Sequence, residues 1–180
     1  MSSVRHVIGR SEGEEGKVQE TEWLTEGQQR SWRAFLNGSA WLQEALNRDL
    51  EERGGMSLNE YEILVRLSED PNGRVRMSHL ADQLVHSRSR LTHTVARMQR
   101  RGWVDRAPCS DDGRGVEAVL TDAGRQVLVE TAPAHVASVR AHLVDVLSPA
   151  QLEALGEIFT IIANRLHPGA EEVISVRGGG

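Results

Sequence analysis

The sequence predicts a mainly α-helical protein carrying one small β-hairpin, and three observations carry that prediction. Apolar residues recur every three or four positions over most of residues 25–166, the period of amphipathic helices. Thr25-x-x-Gln28, Ser57-x-x-Glu60 and Ser148-x-x-Gln151 are boxes in which two side chains cap a helix start reciprocally. Extended, alternating character marks residues 103–108 and 116–120, on either side of Asp111-Asp112-Gly113-Arg114-Gly115, a run of turn formers.

Residues 1–23 hold Gly, Ser and Glu with little apolar periodicity and are expected to form a disordered or arm-like tail. A first helix is expected from Thr25 to about Arg53, with Trp32, Phe35, Leu36, Ser39, Leu42, Leu46 and Leu50 at helical spacing before Gly54-Gly55 stops it. Ser57 starts a second, in which Tyr61, Ile63, Leu64 and Leu67 define the inner side. Asp70-Pro71-Asn72-Gly73 is a turn, and Arg74-Val75-Arg76 is short enough to be a strand that pairs with the hairpin. Ser78 is read as the N-cap of a third helix, with Leu80, Ala81, Leu84 and Val85 on its apolar face. The chain turns at His86. Ser87 then caps a fourth helix that ends at Gly102, a natural C′ residue. Residues 121–147 predict a long helix kinked near Glu130 by Pro133. Ser148-Pro149 opens a last one, carrying Leu152, Leu155, Ile158, Phe159, Ile162 and Leu166, which ends before Pro168. Residues 168–180 read as a flexible C-terminal tail.

The fourth helix carries the chemistry. Leu91, Thr94, Val95 and Met98 fall on one side, while Ser89, His93, Ala96, Arg97 and Arg100 fall on the other, flanked by Arg88, Arg90 and Thr92. An Arg, Ser, Thr and His face suits the DNA major groove, where Arg reads guanine edges and hydroxyls reach bases or phosphates. Arg114, set between two glycines at the hairpin tip, has the shape of a probe for the narrow minor groove. Helix, turn, Arg-rich helix and hairpin together make a winged helix-turn-helix. Phe35, Leu152, Leu155, Ile158, Phe159 and Ile162 exceed what so small a lobe can bury, which points to N- and C-terminal dimerisation helices.

Ser87-Arg88-Ser89-Arg90-Leu91-Thr92-His93, Arg101-Gly102-Trp103-Val104-Asp105-Arg106, and Asp112-Gly113-Arg114 followed by Leu120-Thr121-Asp122-Ala123-Gly124 resemble the MarR (multiple antibiotic resistance regulator) family. The resemblance covers roughly residues 25–166. It implies a homodimeric regulator, here expected to be a repressor, that binds palindromic promoter DNA and is often released by a small phenolic ligand or by oxidation; a small phenolic or anionic effector is the expectation here. It divides residues 24–167 into a DNA-binding lobe, about 57–120, and dimerisation helices, about 25–53 and 121–167. Ser78, Ser87, Arg88, Ser89, Arg90, Thr92, His93, Arg97 and Arg114 are the expected DNA contacts, with Asp112 bracing Arg114. The family often has Arg or Lys where His93 stands. An effector pocket between the two sets of elements would draw on Trp32, Trp41, Tyr61, Arg66, Met77 and Arg90, since aromatic rings and Arg suit a planar anion.

Charge is polarised to match. From Arg74 to Arg125 there are ten Arg against six acidic residues, +4, and the remainder carries −9, which gives the net −5. Phosphate binding needs a local basic surface, not a basic whole. No run of 18 apolar residues and no N-terminal apolar segment occurs, so no membrane partner is expected and the cytoplasm is the expected compartment. No Gly-rich phosphate loop, nucleophile elbow or metal triad is present, so neither an enzyme nor a cofactor is expected. Cys109 lacks a second Cys, and His79 with His86, like His135 with His142, lie two helical turns apart, too far to share one ion unaided. A redox- or zinc-responsive regulator, and a winged-helix protein-interaction scaffold without specific DNA binding, remain the alternatives.

Overall fold

Hydroxyl side chains set where the helices begin. Among the described residues five of six α-helices start on a Ser or Thr whose oxygen accepts a backbone N–H one turn on. These positions come from a computed structural model, which describes residues 21–84, 87–109 and 115–167. The described chain divides into two units, one ending at Leu36 and one beginning at Asn37. The elements are α1 Glu26–Gly54, α2 Leu58–Glu69, β1 Arg74–Arg76, α3 Met77–Gln83, α4 Arg88–Arg100, β2 Val104–Pro108, β3 Val116–Leu120, α5 Asp122–His142 and α6 Pro149–Leu166, with a 3₁₀ turn at Val144–Val146. All three expected capping boxes form, at Thr25–Gln28, Ser57–Glu60 and Ser148–Gln151. In the first unit Trp32 stacks on Phe35 at 5.6 Å.

The sheet is antiparallel in the order β1-β3-β2, so the return strand of the hairpin is central. Val75 pairs with Ala118, and both are buried together with Val104. On the outer side Arg74 grips the Glu117 carboxylate through Nε and Nη2, at 3.0 and 2.9 Å. The turn into β1 is held by Asp70, whose Oδ1 accepts from the backbone of Asn72 and Arg74. One core lies between this sheet and α2, α3 and α4. Ile63, Leu64, Leu67, Leu80, Val95, Met98, Val104 and Ala118 are fully shielded there, joined by Leu50, Met56 and Leu91. Each such aliphatic side chain contributes about 1.5–3 kcal/mol by leaving water.

Two expectations are corrected. Ser78 does not cap α3. Pairing of β1 continues to Arg76 opposite Glu117, so the strand feeds straight into the helix; Arg76 is the cap residue and Ser78 lies exposed inside the first turn. The helix after the hairpin does not reach residue 147. It carries Pro133 inside it and ends at Leu143, whose φ of −133° is not helical, before the 3₁₀ turn. Leu84 is half-buried; Val85 and His86 lie outside the described residues.

The end of α4 is fixed by the motif expected of Gly102. With φ at +74°, Gly102 donates to the Gln99 carbonyl at 2.9 Å and Trp103 donates to that of Met98 at 3.1 Å. Directly against this reversal sits Gly124, in the first turn of α5. A Cβ there would overlap the Trp103 carbonyl oxygen and stand 2.9 Å from its carbon and 3.0 Å from Leu120 Cδ1. The obstacle is backbone shared by α4 and β2, so it cannot swing aside. Gly124→Ala should therefore lower stability by about 1–3 kcal/mol or more, read as a fall in the urea midpoint; an unchanged midpoint would mean that the junction is looser than described.

Candidate nucleic-acid interface

The N-terminal half of α4 presents an exposed cationic and hydroxyl surface. Ser87, the N-cap, accepts the Arg90 backbone N–H on its Oγ at 3.2 Å, which leaves the hydroxyl proton free to be donated outward. Arg88, Ser89, Arg90, Thr92 and His93 are all exposed, while Leu91, Thr94, Val95 and Met98 anchor the opposite side. No acidic residue occupies the first turn, so the positive end of the helix dipole adds to the two arginines. Thr92 Oγ1 donates to the Arg88 carbonyl at 2.8 Å, so outward it presents only acceptor capacity.

Two clefts flank the helix. The smaller, about 230 Å³, lies between α3, α4 and the base of the hairpin and brings Met77, Ser78, Arg88, Leu91, Thr92, Arg106 and Val116 together. The larger, about 730 Å³, is bounded by α1 from Ala40 to Glu51, by residues 57–59, and by Arg90, His93, Thr94 and Arg97 of α4. Arg106 was missed in the sequence reading. Period two from the buried Val104 would have placed it on the helix-facing side of β2. Asp112 and Arg114 lie outside the described residues.

The residues suggested for an effector pocket have different surroundings. Met77 lines the smaller cleft and Arg90 the larger. Tyr61 faces the core, with its ring 4.3 Å from that of His135, and Arg66 pairs with Glu69 at 3.0 Å. Trp41 is 71% exposed, and Trp32 is half-exposed against Phe35. Tyr61 falls on the same inner side of α2 as Leu64, and both are buried. The histidines are also dispersed: His79 lies beside Gln83, His135 against Tyr61, and His142 beside Asp49. Among the described residues no group of three His, Cys, Asp or Glu is arranged to hold a metal ion. Cys109 is buried, and its backbone closes the hairpin by donating to the Gly115 carbonyl.

Two carboxylates that periodicity did not single out are built in. Asp49 of α1 accepts from the buried Ser138 hydroxyl of α5 at 2.6 Å and lies 3.0 Å from His142 Nε2; these bonds, Ser138 foremost, hold it below its usual range. Burial pushes Glu60 up, but the Ser57 backbone N–H, the Arg97 guanidinium and the Ser57 hydroxyl outweigh it and hold the carboxyl below its usual value.

Residues 54–115 match the MarR family. A MarR family transcriptional regulator from Streptomyces coelicolor, Sco3205, solved in complex with DNA, is 44% identical over 84% of this chain and 94% of its own, with a TM-score of 0.79. The chain belongs to the MarR family. A second MarR family regulator of that organism, AbsC, is 43% identical over 81% of this chain and 98% of its own, with a TM-score of 0.76. The transcriptional repressor MprA of Escherichia coli (strain K12) is 28% identical over 103 residues, 56% of this chain and 57% of the repressor's length. The MarR-type winged helix thus covers the described chain well beyond the lobe that carries α4. Among the described residues no single helix is long and apolar enough to cross a membrane, although α5 and α6, bent by 106° at their junction, reach that composition as a pair.

Both shifted carboxylates stabilise the fold in their charged form. That contribution is complete above the ordinary carboxylate range and is lost as the pH falls through their lowered values. Glu60→Gln should be about 1–3 kcal/mol less stable than wild type at pH 7. The gap should narrow below about pH 4.5, followed by denaturant midpoints across pH. A gap that stays constant into acid would remove Glu60 from this account.

Proposed function

We propose that the protein is a homodimeric transcriptional repressor that binds two-fold-symmetric promoter DNA. The observation that carries the reading is the exposed start of α4, where Arg88, Ser89, Arg90, Thr92 and His93 surround a helix N-terminus with no acidic residue. This half of α4 enters the major groove. Arg88 and Arg90 read base edges, Thr92 accepts from a base amino group, and Ser87 and Ser78 donate to phosphates. Arg114, braced by Asp112, enters the flanking minor groove, by the family resemblance of the hairpin. The DNA-bound relative Sco3205 supports the reading.

Dimerisation rests on the apolar surface of the flanking helices. α6 buries none of its own residues, and Ile158, Phe159, Ile161, Ile162 and Leu166 on it are exposed, as are Trp32 and Phe35 on α1. A two-fold axis through such surfaces would set the two α4 helices one DNA turn apart, about 34–36 Å. Release by a small phenolic or anionic effector completes the reading; the arginines in both clefts beside α4 support it, since an anion held there favours one arrangement over another.

Selection from sheared genomic DNA at physiological salt tests this. Wild type should enrich a few palindromic sites, and Arg114→Ala, though folded and dimeric, should lose most of the enrichment. If wild type retains no specific DNA, the winged domain is a protein-binding scaffold. On the selected site, replacing Arg88 or Arg90 should relax base preference by roughly 1–3 kcal/mol per lost bidentate contact. A uniform loss across all sequences would instead mark a phosphate contact.

A further inference from the structure

Arg97 lies on the outer side of α4, where sequence logic counts it among the DNA contacts, and its side chain is 48% exposed, yet its guanidinium is committed to the start of α2. Nε donates to Glu60 Oε1 at 2.8 Å and Nη2 lies 3.4 Å from Ser57 Oγ. Glu60 is only 2% exposed, and its second oxygen accepts from the Ser57 backbone N–H at 2.8 Å and hydroxyl at 3.0 Å. A carboxylate so far from water has to be matched by donors, and these come from one capping box and one arginine. Arg101, one turn on, donates from Nη1 to the Gly55 carbonyl at 2.7 Å, and its guanidinium lies 4.6 Å from the centre of the Trp103 ring. Asn47 of α1 joins the same corner by accepting the Leu58 N–H at 2.9 Å. The C-terminal half of α4 is thus tied to residues 55–60. Arg97 also stands nine residues beyond Arg88, roughly 13 Å along the helix axis, whereas recognition helices of this kind meet bases through their N-terminal residues.

We infer that Arg97 is a positioning residue of the recognition helix and not one of its readers: the Glu60–Arg97 pair sets how α4 is seated on the start of α2, leaving that helix's own DNA contacts to residues 87–93. The inference rests on the DNA-binding reading above, and it opposes the contact role in sign. If Arg97 touched phosphate, neutralising Glu60 would release the guanidinium toward DNA and tighten binding. If it seats the helix, neutralising Glu60 unseats α4 and weakens binding.

Affinity for the selected DNA should be measured over a salt series for wild type, Glu60→Gln, Arg97→Gln and the double variant. The expected result is that each single change weakens binding roughly tenfold, with the double variant no weaker than the weaker single one. The slope of log affinity against log salt should stay at the wild-type value. Arg97→Lys serves where Arg97→Gln does not fold, and should be weak too, because a point charge replaces the guanidinium fork. The inference is overturned if Glu60→Gln binds as well as wild type or better, or if loss of Arg97 lowers the salt slope by about one. Should wild type select no DNA at all, the DNA-binding reading fails by itself. The seating is then read from residual dipolar couplings of α4 amides relative to α2: a reorientation in both variants upholds it, and unchanged couplings overturn it.

Discussion

The structure turns on one threonine. Thr121 accepts the Gly124 N–H on its Oγ1 at 3.0 Å, and its hydroxyl lies 2.7 and 3.0 Å from the carbonyl oxygens of Gly102 and Trp103. Its own N–H donates to the Trp103 carbonyl at 3.2 Å. The same side chain therefore caps α5 and, with its one hydroxyl proton, ties that cap to the carbonyls of the turn between α4 and β2. Beside it, Leu120 N–H reaches the Gly73 carbonyl at 2.8 Å and brings in the turn before β1. Recognition helix, hairpin and the long helix behind them meet at this point, which is why the Leu-Thr-x-x-Gly sequence is a structural signature before it is a family one. An orphan carbonyl at any of these ends would forfeit about the cost of an unmade buried hydrogen bond, 1–3 kcal/mol.

An acidic protein can serve an acidic polymer because charge is sorted by element. Three carboxylates around the DNA-binding lobe are paired within the chain: Glu60 with Arg97, Glu117 with Arg74, Glu69 with Arg66. The first turn of α4 is left with arginine and hydroxyls. At physiological ionic strength the screening length is about 8 Å, so the acidic frame more than one such length away costs the basic face little.

Much of this was legible in the sequence, and the reason is local physics. Helix starts were readable because a capping box is satisfied within four residues. Ser57–Glu60 and Ser148–Gln151 form as written. The inner faces of α2 and α4 followed from period alone, and Leu64, Leu67, Val95 and Met98 are all shielded. What escaped was non-local. Ser78 lost its cap role to a strand pairing 41 residues apart in sequence, between Arg76 and Glu117. The fate of Arg97 depended on Glu60, 37 positions earlier, and periodicity has no way to register a partner on another helix. The contact of Tyr61 with His135, 74 positions on, likewise comes from packing that residue type alone does not register.

One feature of α6 reaches beyond architecture. Not one of the 18 residues of α6 is fully buried, and most helical stability in proteins comes from packing of an apolar face, not from propensity. On the proposed dimer its order is supplied by the second copy, so folding of this segment and assembly become one equilibrium with a concentration in it. The cell's stock of the protein then sets what fraction is competent to hold two DNA half-sites at once. In the proposed dimer, abundance itself becomes an input to DNA binding.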